Sequence, residues 1–227
     1  MKCHVFVDFD GTIATVDTTD LLLERFADPA WLTVEEDWKA GRIGSRECLV
    51  RQVDLVRATP AELSDFVDGI EIDPAFSSFV DLCLQNGLDV SVVSDGLDFT
   101  VGRVLRGANL ELPYFANKLE YVGDSRWRLT FPHARSDCRA LSGNCKCQFS
   151  DGATGKVRIV VGDGRSDFCV AEGADLVLAK ASLQKHCQDN DIAHFAFNTF
   201  VDATGLLATW LDEQTAGARP NDALRDE

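Results

Sequence analysis

Three short β-branched runs constrain this chain more than any other feature: Val5-Phe6-Val7, Val90-Ser91-Val92-Val93 and Val157 to Val161. Each suits a buried strand, and each stops at polar and glycine residues that end one: Asp8-Phe9-Asp10-Gly11-Thr12, Ser94-Asp95-Gly96 and Gly162-Asp163-Gly164-Arg165-Ser166-Asp167. Amphipathic stretches separate the runs. Over residues 1–14 and 72–214 this alternation predicts an α/β fold of βα units, a Rossmann-like parallel sheet with right-handed crossovers. Ligands of such sheets bind beyond the carboxyl ends of the strands, where all three polar segments fall.

The first segment carries the most chemistry. If the strand alternation continues past Val7, Asp8 and Asp10 project to the same side. Two carboxylates that close disfavour one another unless a cation sits between them or one takes a proton. With Mg²⁺ neutralising the site, one aspartate can attack a phosphorus while the other, protonated, supplies the leaving alkoxide with its proton. Asp-x-Asp alone is also common in solvated turns. At the second strand end, the Ser94 hydroxyl and the free amides of Asp95 and Gly96 suit a phosphate oxygen.

Taken in order, D-F-D-G-T, V-V-S-D-G, a lysine and G-D-G-R-S-D resemble the motifs of the haloacid dehalogenase superfamily of aspartate-nucleophile phosphatases, over nearly the whole chain. The resemblance implies that Asp8 is the nucleophile and Asp10 the general acid and then base. Ser94 would hold a phosphoryl oxygen. Thr12, Asp17, Asp95 and Gly96 are expected at the substrate. Mg²⁺ would be held by Asp8, the Asp10 backbone carbonyl and Asp163, with Asp167 orienting a metal-bound water. Members that attack carbon lack the second aspartate, so Asp10 favours phosphoryl transfer. A phosphotransferase or phosphomutase on the same site, and a phosphate-binding module without turnover, are the alternatives. The resemblance also requires a phosphate-neutralising lysine. Lys156 begins the third strand and at ~3.3 Å per residue lies ~20 Å from Asp163; Lys146, at the upper end of an expected short helix over 148–155, is the better candidate.

Residues 15–71 have helical patterning and read as a small helical cap, placed to close over the site, exclude water and select the substrate. Residues 114–147 read as an insert within the core, a hairpin (Lys118 to Val122, Trp127 to Phe131) followed by a cysteine-rich loop. Residues 215–227 read as a flexible tail. Cys3, Cys48, Cys83 and Cys169 read as small buried hydrophobes. Cys138, Cys145 and Cys147 share one loop with His133, and zinc, a disulfide or reduced thiols are all compatible with their spacing.

With 22 basic against 37 acidic residues the formal net charge is -15, which disfavours nucleic acid and anionic lipid as partners. No stretch approaches the ~20 apolar residues of a membrane span and no signal peptide precedes the first strand, so a cytoplasmic enzyme acting on a small phosphorylated metabolite is expected.

Within the superfamily the chain resembles the phosphoserine phosphatase group. Phe131-Pro132-His133 and Cys145-Lys146 are similar to segments of two branches, the methylthiopentenyl phosphate phosphatases and the phosphoethanolamine/phosphocholine phosphatases. Asp17 stands where the phosphoserine enzymes keep a glutamate for the substrate amine, or else it caps the helix that follows. Their carboxylate-gripping arginine is replaced by Val50, with Arg46 and Arg51 nearby. Asp17, Asp20, Phe26, Trp31 and Trp38 are expected to favour an aminoalkyl or neutral substrate over phosphoserine.

Overall fold

The computed structural model describes residues 2–217. A seven-stranded sheet is ordered β4-β3-β2-β1-β5-β6-β7. Its strands are β1 (Cys3–Val7), β2 (Asp89–Leu97), β3 (Tyr114–Gly123), β4 (Arg126–Thr130), β5 (Val157–Gly162), β6 (Leu176–Ala179) and β7 (His194–Ala196). All neighbours pair in parallel except β3 and β4. Alternation along each strand supplies both faces of the sheet. Val5 and Val7 of β1, Val90 and Val92 of β2, and Ile159 and Val161 of β5 enter one large apolar cluster. That cluster includes Phe76 and Phe79 of α5 (Phe76–Gln85), Val101 and Leu105 of α6 (Asp98–Gly107), and Phe200 and Leu207 of α10 (Phe200–Gly217). Phe6 and Val93 face the other way, against Ala153 and Phe149 of the segment around α7 (Cys147–Gly152). Leu183 and Cys187 of α9 (Ala181–Asp189) cover β6 on that side.

Register sets the site. Val7 is paired with Val92 on one side and Val161 on the other, so the residues that follow all three strands emerge at one level. The expected ends are modified at two points. Strand β1 stops at Val7, and Phe9–Ile13 is a turn with Gly11 at φ 69°, so Asp10 is placed by a turn rather than by strand alternation. Strand β2 runs on to Leu97, and its pairing with β3 slips between Val93 and Leu97, around the Ser94-Asp95-Gly96 segment.

Between β1 and β2 lie α1 (Thr18–Phe26), α2 (Trp31–Lys39), α3 (Ser45–Val53) and α4 (Pro60–Asp68). The bridge between Ala14 and Ile72 closes the neck of this helical segment. Leu22, Leu23, Trp31, Leu49, Val53 and Leu63 form its own core, joined there by Trp127 of β4. The hairpin expected within the core is joined to it directly: β3 begins as a parallel strand of the main sheet, and its antiparallel end with β4 props the helices. The Trp127 indole donates to the Ala58 carbonyl at 2.8 Å, and Ala58 N donates to Ser125 O. Helix α10 continues through Gly217, so the expected tail from 215 starts inside a helix, and 218–227 lie outside the described residues. Among the described residues no helix is long and apolar enough to cross a membrane.

Candidate active site

Three carboxylates and a lysine meet at the carboxyl edge of β1 and β5. Lys146, at the N-terminal end of α7 and 6% exposed, places Nζ 2.7 Å from Asp8 Oδ1 and 2.7 Å from Asp167 Oδ1. Lys156 instead pairs with Asp89 at the opposite edge of the sheet. Burial works against the Lys146 ammonium, but Asp167 and Asp8 outweigh it and raise its pKa above the ordinary lysine value. Asp8 is buried and also accepts from Phe9 N at 2.7 Å. Burial first, then Asp167 and Asp163, push its carboxyl well up, against the pull of Lys146. Carboxylate oxygens of Asp8, Asp163 and Asp167 come within 4.8 Å of one another. A cluster of hard oxygen donors with one ammonium among them fits a small divalent cation, which would relieve this repulsion.

Asp10 sits across the turn. Its Oδ1 accepts from Thr18 N at 2.8 Å and from the Thr18 hydroxyl at 2.5 Å, and its Oδ2 accepts from the Ser94 hydroxyl at 3.3 Å. Burial and Asp17 raise its pKa to about 7, with the Thr18 bonds acting the other way. An acid at that value can both give and take a proton near neutrality. Gly11 and Gly96 are dictated by space: a Cβ on Gly11 would fall 2.5 Å from Asp163 Oδ2, and one on Gly96 would collide with the Asp10 carboxylate. Ser94 is fully buried, its oxygen accepting from Gly96 N.

Two residues expected at the substrate have partners of their own. Thr12 is fully buried and its hydroxyl donates to Asp163 Oδ1 at 2.8 Å, so it positions that carboxylate. Asp95 lines the cavity but its carboxylate is already engaged. Oδ1 accepts from Asn144 N at 2.9 Å and Asn117 Nδ2 at 3.3 Å, and Oδ2 accepts from the Ser45 hydroxyl of α3. Asp95 therefore ties the lysine loop, the hairpin and the cap to one strand end.

Above these groups lies a cavity of about 590 Å³. Its lower wall has Asp8, Asp10, Gly96 and Asp163; its upper wall has Asp17, Asp20, Glu35, Trp38 and Gln52. Asp17 caps α1 by accepting from Asp20 N at 2.9 Å. Asp20 is raised to about 6 by burial, then by Asp17 and Glu35. Of the expected cap aromatics, Trp31 is consumed by the cap core and Phe26 packs against it, while Trp38 reaches the cavity with the Arg165 guanidinium 5.5 Å from its ring centre. Arg42 lines the cavity and pairs with Asp37, as does Arg51, which lies off the wall. Arg46 is also off the wall, its backbone N–H donating to Leu141 O.

All eight cysteines carry unpaired thiols. Burial, then the neighbouring Cys138 thiol, pushes the Cys145 thiol up, but among the described residues only Asp8, Asp163 and Asp167 bring three ligand atoms together. Thr18, Asn117 and Asn144 escaped the sequence reading. The Asn144 amide donates to Ser94 O at 2.7 Å and Phe115 O at 2.8 Å, locking the segment that delivers Lys146. Only its position two residues before the lysine could have drawn notice.

A turn-borne pair of aspartates, a buried lysine and a third carboxylate just beyond the neighbouring strand thus gather beneath one cavity. The family model of haloacid dehalogenase-like hydrolases matches residues 5–172, and the chain belongs to that family. Within it the chain acts on phosphoric monoesters, as a phosphatase of small phosphorylated metabolites. It is 32% identical over 212 residues to a 2-hydroxy-3-keto-5-methylthiopentenyl-1-phosphate phosphatase of Geobacillus thermodenitrificans, covering 89% of this chain and 94% of the relative. A relative of the same name from an Exiguobacterium species is 31% identical, covering 91% and 98%. The fold is that of a substrate-bound phosphoserine phosphatase (TM-score 0.66, 19% identity, 87% of this chain and 93% of that one). A phosphoserine phosphatase solved as a phospho-aspartyl intermediate analogue gives a TM-score of 0.63 at 20% identity, covering 82% and 90%.

Proposed function

We propose that the chain is a Mg²⁺-dependent phosphatase working through an aspartyl phosphate on Asp8. The observation that carries this is Lys146 bridging Asp8 and Asp167, with Asp163 beside them, beneath one cavity. An Asp8 carboxylate oxygen attacks the phosphorus and the bond to the leaving alkoxide breaks, while Asp10 gives that oxygen its proton. Asp10 then takes a proton from water as the water oxygen attacks phosphorus and the bond to Asp8 breaks. Lys146 offsets the charge gathered between Asp8 and the phosphoryl group, and the Ser94 hydroxyl, which accepts from Gly96 N and donates to Asp10, would turn its donor to a phosphoryl oxygen. Asp8, Asp163 and Asp167, with the Asp10 carbonyl, would hold Mg²⁺, which supplies charge neutralisation of the phosphoryl oxygens.

The substrate body is neutral or ammonium-bearing rather than carboxylated, because the upper wall offers Asp17, Asp20 and Glu35, while of the three arginines that line the cavity Arg42 pairs with Asp37, Arg139 pairs with Glu172 and Arg165 lies over the Trp38 ring. The enol phosphate of the named relatives is one compound of this kind and phosphoethanolamine another. Comparing kcat/KM for these two and phosphoserine, with Mg²⁺, with Ca²⁺ and with chelator, tests both parts. Turnover should require Mg²⁺, fall in Ca²⁺ and be poorest on phosphoserine. Full turnover in chelator would overturn the metal-dependent mechanism, and phosphoserine as the best substrate would overturn the reading of the wall.

A further inference from the structure

One cation near the site has no role in the chemistry above. Lys180 follows β6 directly, and the pairing of Gly162 with Ala179 sets it level with Asp163. Its side chain turns inward and is half-buried. Nζ lies 3.5 Å from the Thr12 carbonyl and 5.3 Å from the centre of the Phe197 ring. Among the described residues no carboxylate pairs with it directly, although the chain has 37 acidic residues. An unpaired ammonium withdrawn from water is costly unless a nearby field compensates it. Here the field comes from the metal-type carboxylates. Burial lowers the Lys180 pKa, and Asp163, Asp73 and Asp8 oppose that shift.

The link to Asp163 is structural as well. Thr12 accepts from Lys180 on its carbonyl and donates its hydroxyl to Asp163. Lys180 N donates to Gly162 O, and Ser182 Oγ and Leu183 N both donate to Asp163 O, at 3.0 and 2.8 Å. The turn that makes these bonds holds Ala181 at φ 46°, a left-handed conformation that alanine adopts only under constraint. These backbone ties do not depend on the lysine side chain, so the Asp163 scaffold survives its replacement.

We propose that Lys180 is a positioning residue that sets the cation affinity of the site, acting as the counter-charge to Asp163 while the cation is absent and opposing the cation once it binds. This rests on the metal reading proposed above. Lys180→Gln keeps a donor for the Thr12 carbonyl and removes the charge, Lys180→Met removes both, and Lys180→Arg keeps the charge. Calorimetric titration of the full chain with Mg²⁺, and with Mn²⁺ read by electron paramagnetic resonance, should give about three- to tenfold tighter binding for the Gln and Met variants. The Arg variant should stay within about twofold of the parent. In chelator the Gln variant should melt lower than the parent, and saturating Mg²⁺ should narrow the gap. Weaker or unchanged Mg²⁺ binding in the Gln variant would overturn the inference, since a purely structural lysine predicts loss. If the Met variant does not fold, the Gln and Arg pair decides. Absence of Mg²⁺ binding by the parent would instead overturn the metal reading itself.

Discussion

The lower and upper walls of the cavity are built on opposite principles. Below, each carboxylate is held by a named partner on another element, Asp8 by Lys146, Asp10 by Thr18 and Asp163 by Thr12, and the Ser94 hydroxyl is held within its own strand by the Gly96 amide. Above, Asp17, Asp20 and Glu35 crowd together, with the exposed Lys39 3.2 Å from Glu35 as the nearest counter-charge. The lower wall is preorganised for one reaction, while the upper wall keeps unspent electrostatic energy that a suitable substrate can relieve. Chemistry and specificity are thereby separable, and substitutions in the two walls should fail differently.

The largest effect belongs below. Asp8→Asn preserves shape but removes the attacking oxygen's charge, and kcat should drop by about 10⁴-fold or more on every substrate alike. Steady-state assays against two unlike phosphomonoesters check this; a loss on only one would merge the two walls. Next comes Lys146→Met, which leaves Asp8 and Asp167 facing each other without their shared ammonium and should lower kcat by roughly 10²- to 10³-fold. Lys156→Met, at the far edge with Asp89, should leave kcat within about twofold of the parent. Comparable losses in both variants would contradict the sheet geometry.

Between the walls stands the hairpin brace. Trp127→Phe deprives the Ala58 carbonyl of its buried donor and should cost about 1–2 kcal/mol, or roughly 2–8 °C in Tm. KM should rise before kcat falls, because the cap loosens while the core retains its groups. A thermal melt with kinetics on the same sample reads both.

The smallest effect is the pH response of the upper wall. The folded pKa of Asp20, about 6, lies above its ordinary value of 3.8. Ionising it therefore costs the folded state stability as pH rises from the unfolded towards the folded value, and the cost is complete above both. Asp20→Asn should raise Tm relative to the parent at pH 8 and by less at pH 4.5. A gain that is equal at both values would mean that neither burial nor crowding by Asp17 and Glu35 raises the Asp20 pKa.

Much of this was legible from strand ends. An apolar run halting at Asp8, another at Ser94 and a third at Asp163 determined a parallel sheet with its chemistry on one edge, because β-branched residues bury in strands and ligands gather beyond their carboxyl ends. The choice of Lys146 over Lys156 followed from the same geometry, since only one of the two lies at that edge. The cap helices were visible in their apolar spacing. The contacts of Thr12, Asp95, Thr18, Trp127 and Lys180 were not. Each depends on which partner arrives from far along the chain: Asp163 lies 151 residues from Thr12, and Ser45 and Asn144 lie 50 and 49 from Asp95. Spacing encodes local periodicity and so reveals elements and their ends. Which donor meets which acceptor is settled only when register and packing bring distant elements together, and at Asp95 that meeting makes the tie between cap, hairpin and lysine loop.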